Sequence, residues 1–284
     1  MSPSPVIEVA ALVDMLGQPG VSIVDASWYL PVDQRDPAAE YRAKHIPGAV
    51  FFDIDAVSDT TSGLPHTLAQ PESFTVAMQT LGINAADTIV VYDSAGIFSA
   101  ARAWWNFRVA GVEQVFVLNG GLPAWEAAGK PVESVETRRP PGDFVAQYDW
   151  SLVRSFEAML ATVRNGGAQI VDARGAPRFQ GTVPEPRPGL ASGHITGSRN
   201  LHYANLLSNG RLKPVPELRA AFDQAGVDVG SPVVATCGSG VTAAIVALSM
   251  AALGYSDVPI YDGSWSEWGG RPESSGLIAT GPAA

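Results

Sequence analysis

A single cysteine, Cys237, occurs among 284 residues. One thiol rules out an intrachain disulfide and any zinc site built from several cysteines, and it fits a reducing compartment, so a cytoplasmic protein is expected. Four histidines, at 45, 66, 194 and 202, show no metal-ligand spacing. No metal and no organic cofactor is expected. Basic residues are scarce: 18 Lys and Arg against 28 Asp and Glu leave a formal net charge of −10. Too few cations remain for a positive surface, which argues against a nucleic-acid or anionic-membrane partner. No uninterrupted apolar stretch reaches the roughly 18 residues of a membrane helix. The richest, from Val241 to Leu253, is broken by Thr242 and Ser249 and stops at Gly254. The N-terminal segment has no basic region ahead of a long apolar core, so it does not read as a secretory signal. A Walker-type phosphate loop is absent as well.

What is present is a chain that is 46% hydrophobic, enough for a substantial core, and long enough for two domains of about 140 residues. Short apolar runs alternate with longer helical patterns. Strands are expected at 21–25, 88–93 and 115–118, with helices at 71–81 and 99–110 between them. The second half gives strands at 168–172, 232–236 and 258–261, with helices at 216–225 and 241–253. This alternation predicts an α/β fold with mainly parallel sheets covered by helices on both faces.

The two halves also repeat each other residue by residue. Val24-Asp25-Ala26 is matched by Val171-Asp172-Ala173, and the His45-Ile-Pro-Gly-Ala49 motif by His194-Ile-Thr-Gly-Ser198. The segment from Leu118 to Trp125 echoes that from Tyr261 to Trp268. A spacing near 147 positions is far too long for a solenoid, so this is a tandem duplication. The expected domains are 1–132 and 151–284, joined by a proline-broken polar linker at 133–150. His45 and His194 serve both halves alike and are read as structural. Trp104, Trp105, Trp265 and Trp268 are read as core or interdomain packing.

Aligning the halves sets Asp93 opposite Cys237, each at the end of its strand. A glycine-bearing loop and a helix follow in both. Ligands of open α/β sheets bind beyond the carboxyl ends of strands. Cys237 is therefore at a reactive address, and the first domain, with a carboxylate there, is expected to be silent. In the loop Cys237-Gly-Ser-Gly-Val-Thr-Ala243, two glycines let successive amides turn inward as an anion nest, and the following helix adds its positive end. Both favour a thiolate nucleophile, and both would hold a persulfide. The same letters fit a relaxed G-x-G-x-x-A dinucleotide pattern from Gly238 to Ala243. That match falls late in its domain and directly behind a cysteine, which argues against it.

A silent first domain ahead of a cysteine-bearing second one resembles the tandem rhodanese-type sulfurtransferases, and the resemblance covers nearly the whole chain. It is carried by the segment from His45 to Asp55, by Trp104-Trp105, by Arg178 to Arg187, by the Cys237 loop and by Tyr261 to Trp268. Within the family, the uncharged Cys237 loop resembles the 3-mercaptopyruvate branch, whereas the thiosulfate-preferring branch has basic residues there. The resemblance implies two rhodanese-like domains and transfer of sulfur from 3-mercaptopyruvate through a Cys237 persulfide. Pyruvate would be released, and thioredoxin, a small thiol or cyanide would accept the sulfur. It further implies substrate contacts from Arg178 and Arg187, whose guanidinium groups suit an α-keto acid. The loop residues Gly238, Gly240, Val241 and Thr242 would line the sulfur site. A Ser239–His66–Asp55 relay would move a proton near the departing enolate. Pro177 stands where a glycine is expected. A lone cysteine allows no two-cysteine redox switch within a subunit. The alternatives are a thiosulfate sulfurtransferase on the same scaffold and a non-catalytic persulfide carrier. A cysteine phosphatase would want an arginine where residues 242–244 read Thr-Ala-Ala.

Overall fold

The computed structural model describes residues 4–283. Two five-stranded sheets form, and every strand pair within them is parallel. Across the first sheet the strands run Val6–Ile7, Val115–Leu118, Thr88–Tyr92, Val21–Asp25 and Val50–Phe51. The second repeats this order with Val153–Arg154, Ile260–Tyr261, Val233–Thr236, Gln169–Asp172 and Arg199–Asn200. The duplication read from the sequence is thus a duplication of topology. Two-residue antiparallel ribbons lie outside the sheets, pairing Leu207–Ser208 with Arg211–Leu212 and His194–Ile195 with Ile278–Ala279.

The central strands are rich in β-branched residues and bury both faces. Ile89 and Val91 point into one cluster with Phe74 and Phe107, while Val90 and Tyr92 point into another with Leu12, Tyr41 and Trp125. In the second sheet Val171 and Ala235 take the first cluster, and Ile170 and Val234 pack with Met159, Trp265 and Trp268. One cluster therefore runs through both domains. Its centre is the contact between two equivalent helices, Ala100–Val109 and Ala243–Ala252. Both are buried almost all round; Ala243–Ala252 is almost wholly apolar, whereas Ala100–Val109 carries Arg102 and Asn106 into the interior. Trp104 and Trp105 are buried on the first of them, as the reading of these tryptophans as packing residues expects.

The helices expected at 71–81, 99–110, 216–225 and 241–253 form as Pro71–Thr80, Ala100–Val109, Val215–Gln224 and Ala243–Ala252. His45 Nδ1 lies 2.7 Å from the carbonyl of Tyr41, and His194 Nδ1 lies 2.8 Å from that of Phe179. Each imidazole stacks on the ring of that same residue. The stretch between the domains is tied down rather than loose. Arg139 donates to Ser22 Oγ and to the carbonyl of Gly48, and Phe144 is buried in the shared core.

Candidate active site

The strand Val233–Thr236 ends at Cys237, whose free thiol-bearing side chain is only 2% exposed. Neighbouring groups hold the loop that follows. The amides of Trp265 and Ser266 donate to the carbonyls of Cys237 and Gly238, at 3.0 and 2.9 Å. Ser264 Oγ accepts from the Cys237 amide at 3.3 Å. The amides of residues 238–242 donate to no other protein group among the described residues. Gly240 has φ +82°, and a Cβ there would lie 2.7 Å from an Arg102 nitrogen, so both backbone and packing require glycine.

Ser239, His66 and Asp55 come together across the domain interface. Ser239 Oγ lies 2.9 Å from His66 Nδ1, and His66 Nε2 lies 3.0 Å from Asp55 Oδ1. An ionised carboxylate only accepts, so Nε2 carries the proton and Nδ1 accepts from the Ser239 hydroxyl. The hydrogen bond from His66 holds the Asp55 carboxyl below the usual carboxylate range, against a smaller upward effect of burial. Trp28 donates from Nε1 to the other Asp55 oxygen at 3.0 Å and meets the His66 ring edge-on at 4.6 Å. Thus Asp55 and His66 of the first domain meet Ser239 of the second.

The excursion at 180–192 brings Arg178 and Arg187 to the same mouth. Arg178 donates to both oxygens of Glu185, and a Cβ on Gly238 would touch its guanidinium at 3.1 Å. Pro177 stands in the first turn of the short helix Ala176–Phe179 that carries Arg178. Arg187 is half-buried and makes no hydrogen bond or ion pair among the described residues. Burial, and then the like charge of Arg178, hold its pKa below the usual arginine value, while the field of Cys237 acts the other way. Val241 is buried against the shared core and Thr242 stands at the mouth of the helix Ala243–Ala252.

Both sheets carry the topology and both loops the same place at a strand end, so the comparison with known proteins is specific. The rhodanese-like domain family matches twice, at residues 8–128 and 155–271. The chain belongs to the rhodanese family. Over 92% of this rhodanese and 94% of the relative, it is 45% identical to the 3-mercaptopyruvate sulfurtransferase of Escherichia coli K12. It is 42% identical, over 95% of its own length and 77% of the relative, to the thiosulfate/3-mercaptopyruvate sulfurtransferase 1, mitochondrial, of Arabidopsis thaliana. The crystal structure of the Escherichia coli 3-mercaptopyruvate sulfotransferase SseA superposes with a TM-score of 0.86, at 42% identity over 93% of this chain and all of that one.

Three charged residues of this rhodanese site were invisible in its sequence pattern. Arg174 is buried between Asp172, at 2.7 Å, and Glu185, at 2.8 Å, over the ring of Trp265. Glu185 in turn couples Arg174 to Arg178, its side chain 2% exposed. Arg102, fully buried on the interface helix, pairs with Asp262. The available signal was weak: Arg102 is a lone charge in an otherwise apolar Ala-Ala-Arg-Ala-Trp-Trp run.

Proposed function

We propose that the protein is a 3-mercaptopyruvate sulfurtransferase that works through a persulfide on Cys237. The observation that carries this reading is the hydrogen-bonded chain from Ser239 through His66 to Asp55 beside the only thiol. The Cys237 thiolate attacks the substrate sulfur, a Cys237–sulfur bond forms, and the C–S bond breaks with its electron pair leaving as the pyruvate enolate. The proton of the substrate thiol passes through the Ser239 hydroxyl to His66, which stores it as an imidazolium against Asp55. It returns by the same route to the enolate carbon, so charge and protons balance. The amides at 238–242 hold the outer sulfur of the anionic persulfide. Arg187, whose guanidinium is uncommitted, takes the substrate carboxylate, and Arg178, steadied by Glu185, aids it. A second nucleophile such as cyanide, a small thiol or reduced thioredoxin then removes the outer sulfur, which makes the kinetics ping-pong.

Thiosulfate is the rival donor. Its departing sulfite needs no proton, so the Ser239–His66–Asp55 chain would have nothing to supply to it. The deciding experiment sets pyruvate release from 3-mercaptopyruvate beside sulfite release from thiosulfate. Faster pyruvate release is expected; faster sulfite release would overturn the assignment, and release of neither would leave a persulfide carrier.

A further inference from the structure

His66 is one of only four described non-glycine residues with positive φ, at +60°, a conformation uncommon outside glycine, although His, with Asn and Asp, enters it more often than other residues do. Specific contacts hold it there. Its carbonyl accepts a 2.7 Å hydrogen bond from Arg102 Nη2, and the same nitrogen donates at 2.7 Å to Asp262 Oδ1. Asp262 is fixed in turn by the amide of Leu68, two residues beyond His66, at 2.7 Å. The Arg102 guanidinium also lies over the ring of Trp105 at 4.4 Å and reaches towards the carbonyl of Gly240. That approach exists only because residue 240 has no side chain. One buried cation thus touches the backbone on both sides of the His66–Ser239 contact, from a helix of the first domain to the loop of the second.

We propose that Arg102 is a positioning residue that fixes His66 in its left-handed conformation, and so aims the imidazole at Ser239. Arg102 touches neither substrate nor sulfur. Its action runs through the His66 carbonyl, with Asp262 as the anion that keeps the guanidinium in place. The alternative, a purely structural interdomain ion pair, would affect stability and leave the relay untouched. The proposal rests on the sulfurtransferase reading, and the experiment separates the two.

The wild type is first assayed for pyruvate release; no release would end the sulfurtransferase reading itself. With activity present, Arg102→Met should lower kcat for pyruvate release at least about tenfold, with KM within about twofold. Discharge of a preloaded persulfide to cyanide, which needs no relay proton, should keep the wild-type rate. Arg102→Lys, which can still reach one of the two acceptors, should recover part of the loss. A readout independent of turnover is the downfield imidazole N–H resonance of the His66–Asp55 hydrogen bond, assigned by its absence in His66→Gln. It should broaden or move in Arg102→Met. A folded Arg102→Met with wild-type kcat and an unmoved resonance would overturn the proposal, as would equal slowing of both half-reactions. Should Arg102→Met fail to fold, Asp262→Asn decides by the same measurements, since it keeps an acceptor for Leu68 and removes only the counter-charge.

Discussion

The two loops that follow the central strands differ in what fills their amide nests. In the first domain Asp93 fills its own: its carboxylate accepts from the amides of Ala95, Phe98 and Ala100 at 2.9, 2.7 and 2.8 Å. Burial raises its pKa, and those amides pull against the rise. These donors stand two, five and seven residues beyond Asp93. The first two of these steps from Cys237 reach Ser239 and Thr242, whose amides are uncommitted, whereas the third reaches Ala244, whose amide donates to the Val241 carbonyl at 3.3 Å. A side-chain anion therefore occupies in one half the kind of place that a sulfur anion would occupy in the other. The nest of the first domain is plugged by its own carboxylate.

The covers over the two mouths differ in the same instructive way. A turn from each domain reaches over the loop of the other. Leu212 donates to Asn119 at 2.9 Å in one direction, and Leu68 donates to Asp262 at 2.7 Å in the other. Two residues before each leucine stands a left-handed position, Gly210 in one turn and His66 in the other. Gly210 rests directly on Ala95 and Gly96 with no room to spare. At the mouth that holds a thiol, the corresponding position carries an imidazole despite its backbone cost.

The largest effect that tests this contrast is at the nucleophile. Cys237→Ser should abolish sulfur transfer, and mass spectrometry should find no added sulfur after incubation with donor. Cys237→Asp should be equally inert yet melt no lower than wild type, because the loop amides take up the carboxylate as they do at Asp93. A clear drop in Tm would break the equivalence of the two nests. The buried aspartates at the ends of the neighbouring strands separate the halves next. Asp172 neutralises Arg174, whereas Asp25 has no cation beside it: it accepts from the Ser27 amide at 2.9 Å, and the Ser27 and Tyr92 side chains also favour its charged form. Asp172→Asn should cost about 3 kcal/mol, the low end for a broken buried pair because Glu185 still holds Arg174.

Burial pushes the Asp25 carboxyl up to about 6. The folded chain keeps that proton between about pH 4 and 6, where the unfolded chain releases it. This contribution to stability is complete below about pH 4 and is lost as the pH rises through 6. Asp25→Asn should therefore raise Tm at pH 8 and leave it little changed at pH 4; an equal shift at both would remove the assignment.

At the mouth, Arg187→Ala should raise KM for mercaptopyruvate through loss of a charge-assisted contact of about 1.5–3 kcal/mol. Arg178→Ala should do less to KM and more to stability, since it strands Glu185 with a single partner. The last of these effects is the most selective. Ser239→Ala and His66→Ala should each lower kcat with mercaptopyruvate at least about tenfold, change thiosulfate turnover much less, and combine non-additively. Equal loss with both donors would mean that these residues shape the loop instead of moving a proton.

Long periodic segments and repeated motifs made the architecture legible. The strands at 88–92 and 233–236, the helices around 100–109 and 243–252, and the address of Cys237 all follow from local pattern. Strands of two residues, such as Val50–Phe51 and Arg199–Asn200, are too short to show a period and exist through their neighbours. The meeting of His66 with Ser239 spans 173 positions and depends on how two domains dock, which no local pattern encodes. Arg102, Arg174 and Glu185 escaped because buried charges read as surface charges until their partners are known. The linker reads as polar and proline-broken by composition, and its composition does not show that Arg139 and Phe144 bind it to the first domain.

The contact between Ala100–Val109 and Ala243–Ala252 joins the same helix of each half. Like meeting like across an axis is the isologous geometry by which two identical subunits close a dimer. A single ancestral domain could have paired with its own copy through this face, each copy's turn covering the other's nest. Both mouths would then have been obliged to stay alike, because one gene wrote both. Fusion into one chain would lift that obligation, and a carboxylate on one side and a thiol with its imidazole on the other are the divergence it permits.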